Sequence, residues 1–271
     1  MTLREAEKIL SEAGISDARE EARRLFSLVG NIPPYELISP EAASDSPELV
    51  SAIKRRCERE PIEYITGRAD FYRESYKVSS AVLIPRPDTE ILVDYGVKNL
   101  PRGAHFLDLC TGSGCIALSI LNNTSGTTAT AVDISEAALD VARENAMALS
   151  LSERVGFVRA DVLSLTPEAC FAVFSNPPYV SEAAYAGLDE EIYKEPKIAF
   201  LGGRDGADFY RVLTPLYKDK IDERGFIACE IGYDQAGVLR EIAGENGMQC
   251  EILPDLAGRD RVAVLKRKTA F

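Results

Sequence analysis

The 271-residue sequence has one histidine, His105, six cysteines with no Cys-x-x-Cys pair among them, no surplus of basic charge and no long apolar run. Each of these absences excludes something. Cysteines at 57, 110, 115, 170, 229 and 250 with one histidine beside them do not supply the paired ligands of a structural zinc site, so no metal is expected. They are expected to be reduced thiols packed as small apolar groups. A lone histidine at the start of a strand reads as structural, which leaves histidine base catalysis without support. A net charge of −12 opposes sequence-independent attraction to nucleic acid, whose phosphates demand Lys and Arg, and leaves room for a basic protein partner. No apolar stretch reaches the roughly 20 residues that span a bilayer, and no apolar signal core follows Met1-Thr-Leu-Arg-Glu5, so a cytoplasmic location away from membranes is expected. With 46% hydrophobic and 27% charged residues the chain can bury a substantial core, as one large domain or two smaller ones.

The amino-terminal third has helical periodicity. Thr2 and Glu5 have capping-box spacing, and Leu3, Ala6, Ile9, Leu10 and Ala13 recur on one face until Gly14. A second segment from Asp17 carries Ala18, Ala22, Leu25, Phe26 and Val29. Ser46-Pro47 then opens a helix running to about Glu60. Such short amphipathic helices bury their faces on one another as a small bundle, either a structural cap or a substrate-docking domain. After it, Phe71-Tyr72 and Tyr76-Lys77-Val78, separated by Arg73-Glu74-Ser75, read as a hairpin bridging two domains. Pro85 and Pro87 hold the next segment extended, and Asp88 is placed to cap a helix containing Ile91, Leu92, Tyr95 and Val97. Arg86 and Glu90 sit on this rigid turn, as surface charges or as one wall of a site.

From residue 104 onward strand and helix patterns alternate. Strands are predicted near 104–109, 128–132, 155–160, 171–175, 225–231, 248–253 and 261–266. This predicts a doubly wound, mostly parallel seven-stranded α/β sheet with helices on both faces. The last two strands have only a loop between them, too short for a parallel crossover, so they must pair antiparallel or part company, and an antiparallel final strand is expected. The expected division is 1–66 for the helical domain, 67–80 for the hairpin linker and 81–271 for the catalytic domain.

Ligands of such sheets bind beyond the carboxyl ends of the strands. The first strand runs into Cys110-Thr-Gly-Ser-Gly114, where Gly112 and Gly114 let the backbone approach a ligand, although the third glycine of a pyrophosphate fingerprint is missing. The second ends in Asp133, which can accept both hydroxyls of a ribose, with Ser135 capping the next helix. The third ends in Asp161 and Val162, a carboxylate for an adenine amino group and an apolar cover for its ring. The fourth, in Phe171-Ala-Val-Phe-Ser-Asn-Pro-Pro-Tyr-Val180, stops where two prolines break the ladder. Asn176 and a proline carbonyl there offer two acceptors in a rigid arc suited to a planar –NH2, and Tyr179 can lie against the same plane. The plain alternative is a proline-stiffened turn, and the near copy Asn31-Ile-Pro-Pro-Tyr35 reads as only that.

These residues resemble the class I S-adenosylmethionine-dependent methyltransferases, and within them the HemK-like protein-glutamine N5-methyltransferases that modify peptide chain release factors. The likeness covers nearly the whole chain, through Tyr64-Ile-Thr-Gly67, Leu83-Ile-Pro-Arg-Pro-Asp-Thr-Glu90, Asp108 to Gly114, Ala131-Val-Asp133, Ser175 to Tyr179, Glu195-Pro196, Gly202-Gly-Arg-Asp-Gly206, Glu230-Ile-Gly-Tyr-Asp-Gln235 and Asp255-Leu-Ala-Gly-Arg-Asp-Arg-Val262. It implies that Asp108, Cys110, Thr111, Gly112, Ser113 and Gly114 hold the methionine part of S-adenosyl-L-methionine, with Asn176 beside it. It further implies that Asp133 binds the ribose, that Asp161 and Val162 bind the adenine, and that the target glutamine meets Asn176, Pro177, Pro178 and Tyr179, with Arg86 and Glu90 nearby. The implied partner is a release factor acting as protein substrate, met by a monomer with no direct contact to nucleic acid. Two positions depart from the family pattern. Cys110 replaces the usual first glycine of the loop, and Phe171 or Ala172 stands where an aspartate commonly opens the fourth strand. The same residues also admit a glutamine methyltransferase acting on a ribosomal protein, a DNA adenine-N6 methyltransferase and a cofactor-binding scaffold without activity.

Overall fold

The computed structural model describes residues 1–166 and 168–268, so the last three positions of the expected 81–271 domain lie outside the described residues. The chain divides into two compact units, one of Met1–Arg68 with Asp189–Lys194 and one of Ala69–Leu188 with the chain from Glu195 onward.

In the first unit, α1 (Leu3–Glu12), α2 (Ala18–Leu28), α3 (Pro47–Cys57) and α4 (Ile62–Thr66) are short helices with apolar faces turned to one another. Leu10, Leu25, Phe26, Leu49 and Ile53 form their common core. The capping box forms: Thr2 Oγ1 accepts from the Glu5 N–H at 3.2 Å, and Glu5 Oε2 accepts from the Thr2 N–H at 2.8 Å. Ser46 caps α3 with Pro47 in its first turn. The guanidinium of Arg56 is buried beside this core, where its charge is met by both carboxylate oxygens of Glu21 and by Glu191 at 2.7 Å. The near copy of the proline motif is a turn with Asn31 at φ 52° and Tyr35 71% exposed, so its aromatic ring faces solvent.

The second unit opens with a hairpin of β1 (Arg68–Phe71) and β2 (Glu74–Lys77), joined by Tyr72-Arg73 rather than by the expected 73–75. Tyr72 takes φ 60°, a left-handed conformation held by its N–H donating to Glu90 Oε1 at 2.7 Å and its hydroxyl to Asp94 Oδ1 at 2.8 Å. Expected as a bridge, the hairpin instead packs into this unit, because Phe71 and Tyr76 are buried and the Tyr76 hydroxyl meets Ser119 Oγ at 2.6 Å.

The helix α5 (Glu90–Asn99) follows a 3-10 turn at Pro87–Thr89. Asp88 does not cap it, contrary to expectation. Pro87 starts the 3-10 turn one position earlier, and the Asp88 carboxylate pairs with Arg261 at 3.0 Å. Then come β3 (His105–Leu109), α6 (Cys115–Asn122), β4 (Thr128–Asp133), α7 (Glu136–Ala148), β5 (Val155–Arg159), β6 (Cys170–Ser175), α8 (Glu182–Tyr185), α9 (Asp208–Tyr217), β7 (Ile221–Glu230), α10 (Ala236–Glu245), β8 (Met248–Pro254) and β9 (Asp260–Arg267). Among the described residues seven of these strands form one sheet in the order β5-β4-β3-β6-β7-β9-β8. The first five run parallel, and β9 pairs antiparallel with both β7 and β8. The strand β7 starts earlier than expected, at Ile221. Cys170 pairs with Ile221 while Ala172 pairs with Phe226, so extra residues loop out of β7 between them.

Side chains alternate between two cores, as period-two strands demand. Phe106, Ala131, Ala172, Phe174 and Phe226 face one side with Leu92 of α5 and Ile116 of α6. Leu107, Val132, Val173 and Ile227 face the other with Tyr210 of α9 and Leu239 of α10. The parallel strands therefore end together at one edge, and the loops that follow them share one side of the sheet.

Candidate active site

The loop after β3 is built on a buried carboxylate. Asp108 is fully buried, and its Oδ2 accepts from the Thr111 hydroxyl at 2.5 Å and from the Ala117 N–H at 3.2 Å. Burial pushes its pKa up to about 7 against the pull of these donors. Asp108 therefore lies beneath the loop and does not line the cavity, contrary to its expected contact with a ligand. Cys110 takes φ 61°, so the residue in the family's usual glycine position keeps the backbone that glycine favours. Asn145 of α7 fixes the loop from behind, donating from Nδ2 to the Ser113 carbonyl at 2.9 Å and to the Lys77 carbonyl at 3.0 Å. Gly114 serves as the N-cap of α6 and packs toward Leu118 and Ala142, away from the cavity.

Next to this loop, Asp133 closes β4. Its two oxygens accept from the Gly112 N–H and the Ser135 N–H, each at 2.9 Å. Burial raises its pKa while the N–H groups of Ser135, Gly112 and Ile134 oppose that rise. Ser135 caps α7 as expected, its side chain accepting from the Ala138 N–H. Asp161, after β5, accepts from the Leu163 N–H at 2.9 Å.

These loops surround a cavity of about 320 Å3. Of the residues expected to hold a ligand, Arg86, Cys110, Thr111, Gly112, Ser113, Asp133, Asp161, Val162, Asn176 and Pro178 line it. Pro85 gives it an apolar wall, together with Ile134, Val82 and Phe209, which the sequence had not assigned to a site. The groups present fit a nucleoside carrying a charged tail: Asp133 and Asp161 are acceptors, Val162 and Ile134 are flat apolar cover, and the space a Cβ on Gly112 would take is open. Glu90 is not brought to this cavity; its carboxylate is turned to the Tyr72 N–H of the hairpin. His105, at the start of β3, meets the hydroxyl of Thr128 at 2.9 Å and lies apart from the site.

At the end of β6 the chain leaves the sheet at Asn176. Asn176 Nδ2 donates to Thr89 Oγ1 at 3.3 Å, while Oδ1 accepts from no protein group among the described residues. Thr89 Oγ1 in turn donates to Glu230 Oε2 at 2.5 Å. The other oxygen of Glu230 accepts from the Tyr179 hydroxyl at 3.0 Å. Tyr179 and Pro177 are not among the cavity-lining residues, because the tie to Glu230 and packing against the α9–α10 core draw the tyrosine inward. Glu230 is buried at the end of β7, its pKa raised by burial and lowered by Thr89, Tyr179 and Arg261. Behind the turn, Gln235 Nε2 donates to the carbonyls of Tyr179 and Gly206, each at 3.1 Å. Gly202 and Gly206 pack so closely that a Cβ on them would stand 2.5 Å from the Pro178 carbonyl and 2.2 Å from the Tyr179 carbonyl. Thr89, Glu230 and Gln235 were not assigned roles by sequence. Glu230 had two available signals, its place at the carboxyl end of a parallel strand and its place at the head of the Glu230 to Gln235 motif.

The comparisons with known proteins agree with this geometry. Residues 2–67 match the family described as PrmC N-terminal domain, and residues 87–197 match the methyltransferase small domain. The chain is 37% identical to the release factor glutamine methyltransferase of Moorella thermoacetica, with 99% of each chain covered. It is 38% identical to the protein of the same name from Thermodesulfovibrio yellowstonii, with 93% of each covered. Among solved structures, the ribosomal protein L11 methylase of Lactobacillus delbrueckii subsp. bulgaricus shares the fold with a TM-score of 0.51 at 20% identity, covering 68% of this chain and 81% of that one. The hMettl16 catalytic domain does so with a TM-score of 0.60 at 13% identity, covering 72% and 76%. With near-complete coverage at this level of identity, and with the strand-end loops arranged around one cavity, the chain belongs to the release factor glutamine methyltransferase family.

Proposed function

We propose that the protein transfers a methyl group from S-adenosylmethionine to the side-chain amide nitrogen (N5) of a glutamine in peptide chain release factors, in the cytoplasm. The observation that carries this reading is the Asn176 carboxamide, whose Nδ2 is engaged by Thr89 while Oδ1 remains an available acceptor in the same cavity as Asp133 and Asp161. The relatives' shared name supports the release factor as substrate.

An amide nitrogen is a poor nucleophile because its lone pair is delocalised into the carbonyl, so catalysis is mostly positioning. S-adenosylmethionine, when bound, supplies a methyl group made electrophilic by its sulfonium. Asp133 and Asp161 would hold the hydroxyl and amino groups of the nucleoside, and the loop from Cys110 to Ser113 would hold the tail. Asn176 Oδ1 accepts one N–H of the target glutamine and the Pro177 carbonyl accepts the other, which leaves the third direction at nitrogen facing the cavity. These hydrogen bonds strengthen as positive charge builds on nitrogen, which stabilises the transition state more than the ground state. The helical unit serves as the docking domain for the protein substrate.

Incubation with labelled cofactor and, separately, a release factor, a ribosomal protein and duplex DNA, followed by mass spectrometry, tests the assignment. The expected result is one methyl group on a release factor glutamine. Label on the ribosomal protein, on adenine or nowhere rejects it.

A further inference from the structure

We propose that Glu230 is a positioning residue for the reaction: its ionised carboxylate, acting through Thr89, fixes the Asn176 carboxamide with Oδ1 toward the cavity. This rests on Asn176 being the acceptor for the target amide.

The two ends of a carboxamide are nearly equal in shape and are told apart by what they hydrogen-bond. The sheet places the three groups together. Ser175 of β6 pairs with Cys229 of β7, so Asn176 and Glu230 are each one residue beyond a paired position, and Thr89 reaches both from the turn before α5. An ionised carboxylate only accepts. The Thr89 hydroxyl must therefore spend its single proton on Glu230, and its remaining lone pairs can face only a donor. Asn176 presents Nδ2 to it and Oδ1 elsewhere. The same carboxylate takes the proton of the Tyr179 hydroxyl, so one charge orients two side chains of the proline turn.

Protonation reverses the arrangement. A neutral Glu230 donates one hydrogen bond, which frees the Thr89 proton to point at the amide and favours Asn176 turned with Nδ2 toward the cavity. A donor there opposes the N–H groups of a target glutamine. The groups facing Glu230 set where this happens. Burial and Asp88 favour the neutral form, while Arg261 of β9 and the Thr89 and Tyr179 hydroxyls favour the ionised form. Tyr210 of α9 donates to the Glu230 main-chain carbonyl at 2.7 Å, and the Cys115 thiol of α6 lies within electrostatic range.

The test measures kcat, KM and cofactor affinity of the full chain with labelled S-adenosylmethionine and a peptide chain release factor. Thr89→Val and Glu230→Gln are expected to lower kcat by about 10- to 100-fold, the cost of a misplaced reacting group, with cofactor affinity retained. Thr89→Ser returns the hydroxyl and recovers most of the loss. Wild-type kcat falls on an acid limb that Glu230→Gln lacks, because glutamine does not titrate. Thr89→Val at wild-type kcat, or Thr89→Ser as slow as Thr89→Val, overturns the proposal. If Glu230→Gln fails to fold, the wild-type profile decides, and a kcat flat down to about pH 4.3, where an ordinary glutamate protonates, overturns it. Asn176→Ala at near wild-type kcat overturns instead the reading of Asn176 on which the proposal rests.

Discussion

Arg86 and Glu195, separated by 109 positions in sequence, form an ion pair in which the glutamate is buried and the arginine reaches the cavity wall. The other oxygen of Glu195 accepts from the Ile84 N–H at 2.9 Å. Arg86→Ala strands a buried carboxylate with one remaining donor, so it is expected to destabilise the protein by about 1–3 kcal/mol. Adding Glu195→Gln removes the stranded charge and should restore part of that loss. Chemical denaturation of both variants checks this; a double variant weaker than Arg86→Ala alone contradicts it.

Asp133 has a second task besides its expected hold on the ribose, because it also takes the Gly112 N–H. Asp133→Ala should weaken cofactor binding by roughly 10- to 100-fold, the range of lost hydrogen bonds to a charged group. Asp133→Asn keeps one acceptor oxygen and should lose less. Titration calorimetry with S-adenosylmethionine separates the two, and equal losses would remove the carboxylate's proposed role.

The buried carboxyl of Asp108 makes stability depend on pH. Its folded pKa is pushed up to about 7 from an ordinary 3.8, so the folded chain holds the proton more tightly than the unfolded chain does. That contribution is fully present below the unfolded value and is lost as pH rises through the folded one. The melting temperature of Asp108→Asn minus that of wild type should therefore rise between about pH 4 and pH 7 and level off above. Calorimetry across this window gives the answer, and a flat difference would assign Asp108 an ordinary pKa.

Burial pushes the Cys110 thiol well above its usual range, with the Asp133 and Asp108 charges adding to the rise. The thiolate is the reactive form. Iodoacetamide at pH 8 should leave Cys110 unmodified in the folded protein and modify it after denaturation, as peptide mapping would show. Cys110 is partly exposed at the cavity wall, so rapid labelling of the folded chain would mean that its pKa is ordinary.

Patterns set by neighbouring residues were legible in the sequence. The capping box at Thr2 and Glu5 formed as its spacing predicts, and β3, β4, β6 and β8 lie within a residue or so of the predicted strands. Pro177 and Pro178 marked the end of β6, since neither can donate to a ladder. Pairings between distant segments were not legible. Thr89 and Glu230 stand 141 positions apart, and Asn176 and Thr89 stand 87 apart, so no local spacing connects them. Asp88 was misplaced for a related reason. Its sequence neighbours suit a helix cap, and only the arrival of Arg261 beside it in space gives the carboxylate a different partner. Tyr179 was expected to lie flat against the target amide; the tie of its hydroxyl to Glu230, 51 positions away, had no local signal.

The brace of Gly202, Gly206 and Gln235 behind the proline turn bears on how this site can change. A main-chain carbonyl is common to every amino acid, so no substitution deletes it, and a mutation can alter only where it points. A methyl group added at either glycine would press on the Pro178 or Tyr179 carbonyl, and loss of the Gln235 amide would release the Tyr179 carbonyl from its donor. The aim of the Pro178 and Tyr179 carbonyls is thus encoded in residues that do not line the cavity, and the two glycines contribute to it through the atoms they lack.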